Sequence, residues 1–344
     1  MSDMNVFLEK ITTYLEKMDE KKQPLSLAIS GDDISFSFQK NETPKPFHIF
    51  GITKLFMAYL IDQLHSKGII DIDGLIHTYI DQETLSNLFV FRDIDYQNHV
   101  TIRMLLDHTS GIADFLEGIN DKDEQFITQL LNQPNQVYQP MDLIEFTKNK
   151  QVALGIPGQR YYYSDTGYVL LGIILEKVTQ TSLDHLFKTY ITKPLKLNQT
   201  VLNHENIDTD AIEDVMYNGI AIKAFKSLAA HWGGSGVIST HNDLLNFIKK
   251  TDYGSQSYEN MFIKGIHYGQ GSMKLRLDQL TFLSRTSTKT PLFGHMSFYG
   301  THLWIEPESG LSISLNYGSN KYYEKSFKII AYILKTYHQL TKEA

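Results

Sequence analysis

Phe47-His48-Ile49-Phe50-Gly51-Ile52-Thr53-Lys54-Leu55-Phe56 is the stretch on which the fold turns. From Gly51 onward the apolar residues Leu55, Phe56, Ala58, Tyr59, Leu60 and Leu64 recur at helical spacing. The segment runs to Lys67-Gly68, where glycine suits a left-handed C-terminal cap. Apolar residues surround this helix on most sides, which predicts that it is buried. Lys54 stands out in that setting, because a lone lysine ordinarily sits at a surface.

Working outward, Met4, Phe7, Leu8, Ile11, Tyr14, Leu15 and Met18 predict an amphipathic first helix that Pro24 ends. Leu25 to Ile29 and Ile34 to Phe38 flank Ser30-Gly31-Asp32-Asp33, a hairpin pattern with a short polar turn. Residues 101–109 form a helix candidate. The stretch from about 119 to 150 is polar, with a loop over Asn132 to Gln136. Thr166 to Val178 is a strongly apolar helix. Gly233-Gly234-Ser235-Gly236 lacks the Lys-Ser/Thr of a phosphate loop and reads as a turn before a strand, with a short helix over Asp243 to Ile248. From residue 266 on, alternating runs predict antiparallel strands, most clearly Thr301 to Ile305 and Leu311 to Asn316. A helix over Tyr323 to Tyr337 closes the chain.

This order predicts an α+β fold: an antiparallel sheet built from both chain ends and flanked by helices, plus a mostly helical region. No repeat or low-complexity linker interrupts it. One intertwined domain over residues 1–344 is expected, with a sheet lobe at about 1–50 and 265–344 and a helical lobe at about 51–264.

Composition narrows the function. Hydrophobic residues make up 42% and charged residues 21% of the 344 residues, an ordinary globular balance. With 32 Lys and Arg against 39 Asp and Glu, the net charge of -7 argues against nucleic-acid or anionic-membrane partners. The absence of cysteine excludes thiolate catalysis and cysteine-ligated zinc. The 13 histidines show no metal-ligand spacing, so neither metal nor other cofactor is expected. Charged residues punctuate the first 22 positions, and no run approaches a membrane span, so a soluble, cytoplasmic protein is expected.

Four segments, in order, carry a resemblance. Residues 47–56 resemble the Ser-x-x-Lys region of the serine β-lactamase and penicillin-binding-protein superfamily, except that Gly51 stands at the serine. Leu105-Leu106-Asp107-His108-Thr109-Ser110-Gly111-Ile112 resembles its Leu-Leu-Thr-His-Thr-Ser-Gly-Leu stretch. Pro157 to Tyr168 resembles its Tyr-x-Asn motif and flanks. Gly294-His295-Met296-Ser297-Phe298-Tyr299-Gly300-Thr301 falls where its third motif, Lys or His followed by Thr-Gly, would be. The resemblance runs from about residue 25 to the C-terminus and is greatest to the class C and esterase-type branch.

The resemblance implies acyl transfer. A serine at the start of a buried helix attacks a carbonyl, and a lysine at i+3 lies beside it. That lysine, or a tyrosine hydrogen-bonded to it, takes the proton, and backbone N–H groups hold the oxyanion. It assigns Lys54 to the lysine, lining the pocket, Tyr163 to the tyrosine and His295 to the third-motif cation. Ligand contacts are expected from Gly51, Asp165, Ser297 and Phe298.

Three departures accompany the match. Gly51 offers no nucleophile, Asp165 replaces asparagine and brings a carboxylate towards Lys54, and Met296-Ser297 replaces Thr-Gly. These departures favour a catalytically impaired relative, or a pseudoenzyme that binds a small ester, amide or peptide-like ligand, or a partner, in the former cleft. The retained Lys54, Tyr163 and His295 keep an active hydrolase open. It would be an esterase, amidase or D-amino-acid peptidase using water or a displaced nucleophile such as Ser297 or Ser164. Whether the chain is an enzyme, which ligand it takes and its oligomeric state are left open.

Overall fold

The computed structural model describes residues 3–18, 25–39, 44–118, 125–202, 208–251, 256–283 and 289–341. Pro24 lies outside them.

The N-terminal helix α1 (Asp3–Glu16) leads into strands β1 (Ser26–Ser30) and β2 (Ser35–Gln39), paired as the hairpin pattern predicts. The chain then leaves the sheet. It returns through β3 (Asn260–Ile263), β4 (Ile266–Gly269), β5 (Ser272–Leu275), β6 (Leu292–Met296), β7 (Thr301–Glu306) and β8 (Leu311–Asn316). These strands make one eight-stranded sheet ordered β2-β1-β8-β7-β6-β5-β4-β3, with antiparallel pairings throughout. Both chain ends therefore build the sheet, and its second segment begins at Asn260, earlier than the expected 265. The fold class is α+β, as predicted.

Strand β8 shows how the sheet separates its two faces. Successive side chains point to opposite sides of a strand. Leu311, Ile313 and Leu315 join one core cluster with α1 and the C-terminal helix, while Ser312, Ser314 and Asn316 alternate with them, and all six are buried. The C-terminal helix (Tyr323–Thr341) lies against α1, with Tyr14 stacked on Tyr332 at 3.9 Å between centroids. On the other face, Ser314 and Ser26 hydrogen-bond His241, at the start of the helix His241–Ile248.

The helical region holds a second core cluster. Its axis is α2 (Thr53–Ser66), which follows a single 3₁₀ turn at Phe50–Ile52 and buries Leu55, Phe56, Met57, Leu60, Ile61 and Leu64. Phe56 stacks on Phe247 at 3.9 Å. Around α2 lie α3 (Ile102–Leu106), α4 (Phe126–Asn132), α5 (Pro140–Lys150), α6 (Asp165–Thr179) and α7 (Trp232–Ser235). The polar stretch contains α4 and α5, each burying a narrow stripe: Phe126, Ile127 and Leu130 in one, Leu143, Ile144 and Thr147 in the other, and the loop expected over Asn132 to Gln136 falls between them, from Gln133 on. One sequence expectation changes here. The glycine-rich stretch is not a plain turn; Gly233 to Ser235 belong to the short helix α7 and Gly236 follows it, with two residues between the helix and the two-residue strand Ile238–Ser239 that pairs with Phe47–His48.

Candidate functional site

The 3₁₀ turn that precedes α2, the start of α6, the end of β6 and the segment 113–118 converge on a cavity of about 410 Å³. Gly51, Tyr163, Asp165, His295, Ser297 and Phe298 all line it. Six of the seven residues that the sequence singled out are thus brought together.

Lys54 is the exception, and the expectation that it lines the pocket is corrected. It is 0% exposed and lies outside the lining, beneath Asp165. Its ammonium forms an ion pair with Asp165 and donates to the Gly234 carbonyl at 3.0 Å. It also lies over the Tyr163 and Tyr168 rings, 4.9 and 5.1 Å from their centroids. A buried ammonium needs this company, because leaving water unpaired is costly. Asp165 is the first residue of α6, where the helix dipole favours a carboxylate, and Ser164 caps that helix through its hydroxyl. Gly234 leaves no room for a side chain: a Cβ there would stand 2.8 Å from Asp165 Oδ1.

The Tyr163 hydroxyl has no hydrogen-bond partner among the described residues, so the tyrosine meets Lys54 through its ring face rather than its oxygen. Burial, and next the Asp165 carboxylate, hold the Tyr163 pKa well above the usual tyrosine range. Its ring packs on His108, 4.3 Å between centroids.

His295, on β6, is 1% exposed. Burial, reinforced by the Lys54 charge, lowers its pKa to about 3, so the imidazole is neutral at physiological pH. Nδ1 lies 2.9 Å from Met296 N and 2.7 Å from Met296 O; unprotonated it accepts from the first, protonated it donates to the second. In either tautomer Nε2 has no partner. The Ser297 N–H donates to Thr301 O at 2.8 Å, within the turn that follows β6, and the Ser297 hydroxyl accepts from Tyr299 N at 3.2 Å.

Gly51 faces this wall. A Cβ built on it would meet Met296 O at 2.9 Å, closer than a side chain tolerates, and His295 Cε1 at 3.2 Å, a tight contact. The preceding residue, Phe50, has φ of 45°, a strained conformation for an aromatic residue. It is held by stacking on Tyr299 at 4.1 Å.

Sequence reasoning passed over Asp114, Glu117, His231 and Ser235, which also line the cavity. Asp114 Oδ1 accepts from Asp165 N at 2.9 Å, and Oδ2 accepts from Glu117 N at 3.1 Å. Burial, and next the Asp165 charge, raise the Asp114 pKa to about 7. Glu117, whose side chain opens to solvent at the rim, is also raised, by desolvation and by Asp165. The available signal was position: Asp114 lies two residues after the stretch Leu105 to Ile112. Ser235 is 6% exposed, and its hydroxyl makes no hydrogen bond among the described residues. Other proposed nucleophiles are engaged: Ser164 Oγ donates to Ala113 O at 2.8 Å. Among the described residues no cluster of three metal-binding side chains occurs, and no helix is long and apolar enough to cross a membrane.

The family model described as Beta-lactamase matches residues 36–336. The chain belongs to the beta-lactamase family. Among curated members, penicillin-binding protein 4* of Bacillus subtilis is 28% identical over 221 residues, covering 60% of this chain and 44% of its own length. The chain thus spans under half of that relative. Among solved structures, the D-amino acid amidase of Ochrobactrum anthropi complexed with L-phenylalanine amide superposes with a TM-score of 0.75 at 17% identity, over 98% of this chain and 99% of its own. The octameric penicillin-binding-protein homologue of Pyrococcus abyssi gives 0.70 at 21%, over 95% and 77%. At such identities these structures establish the beta-lactamase-type fold and not a shared activity.

Proposed function

We propose that this family member has lost acyl transfer and uses the retained cleft to bind a small molecule. The observation that carries the reading is Gly51. It stands one turn before Lys54, where the family resemblance calls for the nucleophile, and the direction its side chain would take is filled by Met296 O at 2.9 Å and His295 at 3.2 Å. The surroundings support it. Lys54 is tied up by its ion pair with Asp165 and its hydrogen bond to Gly234 O, and it does not line the cavity. Tyr163 is held in its neutral, weakly acidic form. In this reading Lys54 and Tyr163 are structural remnants of the proton relay, and Gly51, Asp165, His295, Ser297 and Phe298 are ligand contacts. The lobes work as one unit around the cleft.

A second reading, an active esterase, amidase or D-amino-acid peptidase, draws on Ser235. Its unbonded hydroxyl lines the cavity and directly follows Gly234 in the chain.

Intact-mass measurement after incubation with a penicillin and, separately, with a fluorophosphonate tests the two. No adduct is expected on the unmodified chain, and little on Gly51→Ser, whose seryl Cβ must displace a backbone carbonyl. A stoichiometric adduct on the unmodified chain would overturn the proposal, and peptide mapping would then distinguish Ser235 from Ser297. Turnover of an ester or D-amino-acid amide without an adduct would overturn it too, in favour of attack by water.

A further inference from the structure

We infer that the cavity takes a ligand with a protonated amine on an apolar body and turns away a carboxylate, an inference that rests on reading the cleft as a binding site. The wall holds aromatic side chains and carboxylates but no lysine or arginine among its described residues. The nearby cation, Lys54, is sealed under the floor with its charge matched by Asp165. The third-motif residue that would meet an anion, His295, is neutral at physiological pH.

What the wall does offer is unspent acceptor capacity. Among the described residues the Glu117 carboxylate has no hydrogen bond or ion pair and Asp165 Oδ2 has no hydrogen bond. Ser235, more than nine-tenths buried, leaves its hydroxyl unbonded. Nε2 of the equally buried His295 is likewise without a partner. A buried polar group left without a partner is costly, which points to a ligand or water completing the set. A ligand ammonium brings three donors and no acceptor, matching carboxylates and a hydroxyl. Phe50, Phe262, Phe298, Tyr299 and Tyr323 add ring surface, which attracts cations as well as apolar groups. The raised pKa values of Asp114 and Glu117 agree, since a bound cation would relieve the crowding of negative charge that burial aggravates. A carboxylate ligand would meet Asp114, Glu117 and Asp165 with nothing cationic on the wall to offset them. The volume of about 410 Å³ suits a small molecule of one ring and a short chain.

The test uses 4-phenylbutylamine, 4-phenylbutanol and 4-phenylbutyrate, which share a body and differ in head charge. Their affinities for the full chain are measured by calorimetry at pH 8, where Asp114 is ionised. The amine is expected to bind about tenfold tighter than the alcohol, with the butyrate weakest. Glu117→Gln, a change at the rim that leaves the buried hydrogen bonds alone, should shrink the preference for the amine to about threefold. Asp114→Asn should do the same if it folds. Butyrate binding as tightly as the amine would overturn the inference, as would no binding by any probe at millimolar concentration. A penicillin adduct would sink the pseudoenzyme reading without touching the order of these affinities. An inverted order with no adduct would sink this inference alone.

Discussion

Buried histidines occupy two regions of this molecule and are treated differently in each. In the sheet, His302 is 0% exposed, and both its nitrogens are bonded: Nε2 to Ser326 Oγ at 2.6 Å, and Nδ1 accepting from Trp304 Nε1 at 3.0 Å. At the cleft, His108 and His295 are 1% exposed, and each leaves Nε2 without a partner. All lose their charge to burial; the pKa is about 3 for His295 and His302 and well below the ordinary value for His108. Burial is therefore equal and satisfaction is not. Unpaired buried atoms also occur in the sheet, at Glu306 Oε1, Ser312 Oγ and Asn316 Nδ2, so the contrast drawn here is between these histidines and not between whole regions. The cost of a substitution should accordingly follow partners rather than burial.

Lys54 gives the largest test of that rule, because it lies just beneath the cleft and is partnered there by Asp165 and Gly234 O. Lys54→Met should cost about 3–5 kcal/mol, since it strands Asp165 beside Asp114 with no compensating charge. Lys54→Met combined with Asp165→Asn should recover most of the loss, as a neutral amide needs no cation. Urea denaturation of the single and double variants measures both. A single-variant cost under about 1 kcal/mol would mean that water serves Asp165 freely, and the distinction between partnered and unpartnered groups would lose its meaning here.

His302→Leu comes next. It leaves the Trp304 N–H and the Ser326 hydroxyl unpaired in the sheet's interior, for an expected loss of about 2–4 kcal/mol at pH 7.5. It should also change the pH dependence. A histidine with a folded pKa of about 3 binds no proton between that value and its unfolded value near 6.5, whereas the unfolded chain does. Stability is therefore lost as pH falls through that window. Asp114 works the other way, since its raised pKa makes stability fall as pH rises from about 4 to about 7. His108, His241 and His295 act in the same sense as His302, and Asp107, Glu117 and Glu213 in the same sense as Asp114. Removing His302 should lower the slope of stability against pH in that window by one proton, about 1.4 kcal/mol per pH unit. An unchanged slope would show that His302 is not held neutral.

How much of this was legible in the sequence follows the range of each interaction. The apolar helix α6, the hairpin of β1 and β2, and the return of the chain end to the sheet announce themselves through local periodicity, so the fold could be read. Helices α4 and α5 could not, because each buries only a stripe and shows a polar face. The ion pair of Lys54 with Asp165 was foreshadowed by the carboxylate after Ser164. The position of Lys54 outside the cavity was not, since it depends on Asp165 and Gly234 closing over it from distant parts of the chain. Asp114 and Ser235 were overlooked for the same reason: their local sequences resemble a loop and a turn, and only packing turns them towards the cavity. The obstruction at Gly51 comes from a carbonyl of β6, which no reading of residues 47–56 contains.

The smallest expected effect is the sharpest use of the comparison. His295→Leu removes an imidazole as buried as that of His302, yet Nε2 leaves no partner behind, and what is deprived is Met296 N–H where Nδ1 is unprotonated, or Met296 O where it is protonated. Either group lies beside the cavity, where water can replace the lost partner, so the expected cost is about 1 kcal/mol or less. The substitution also removes a neutral polar wall group while leaving the carboxylates in place. Any ligand selected by charge should therefore keep its preference for the cationic head, with affinity changing by about threefold or less. Parallel denaturation curves of His295→Leu and His302→Leu decide the matter. Equal costs would mean that ordered water satisfies His295 as fully as protein satisfies His302, and the cleft would then be a wet structural seam rather than a site awaiting a ligand.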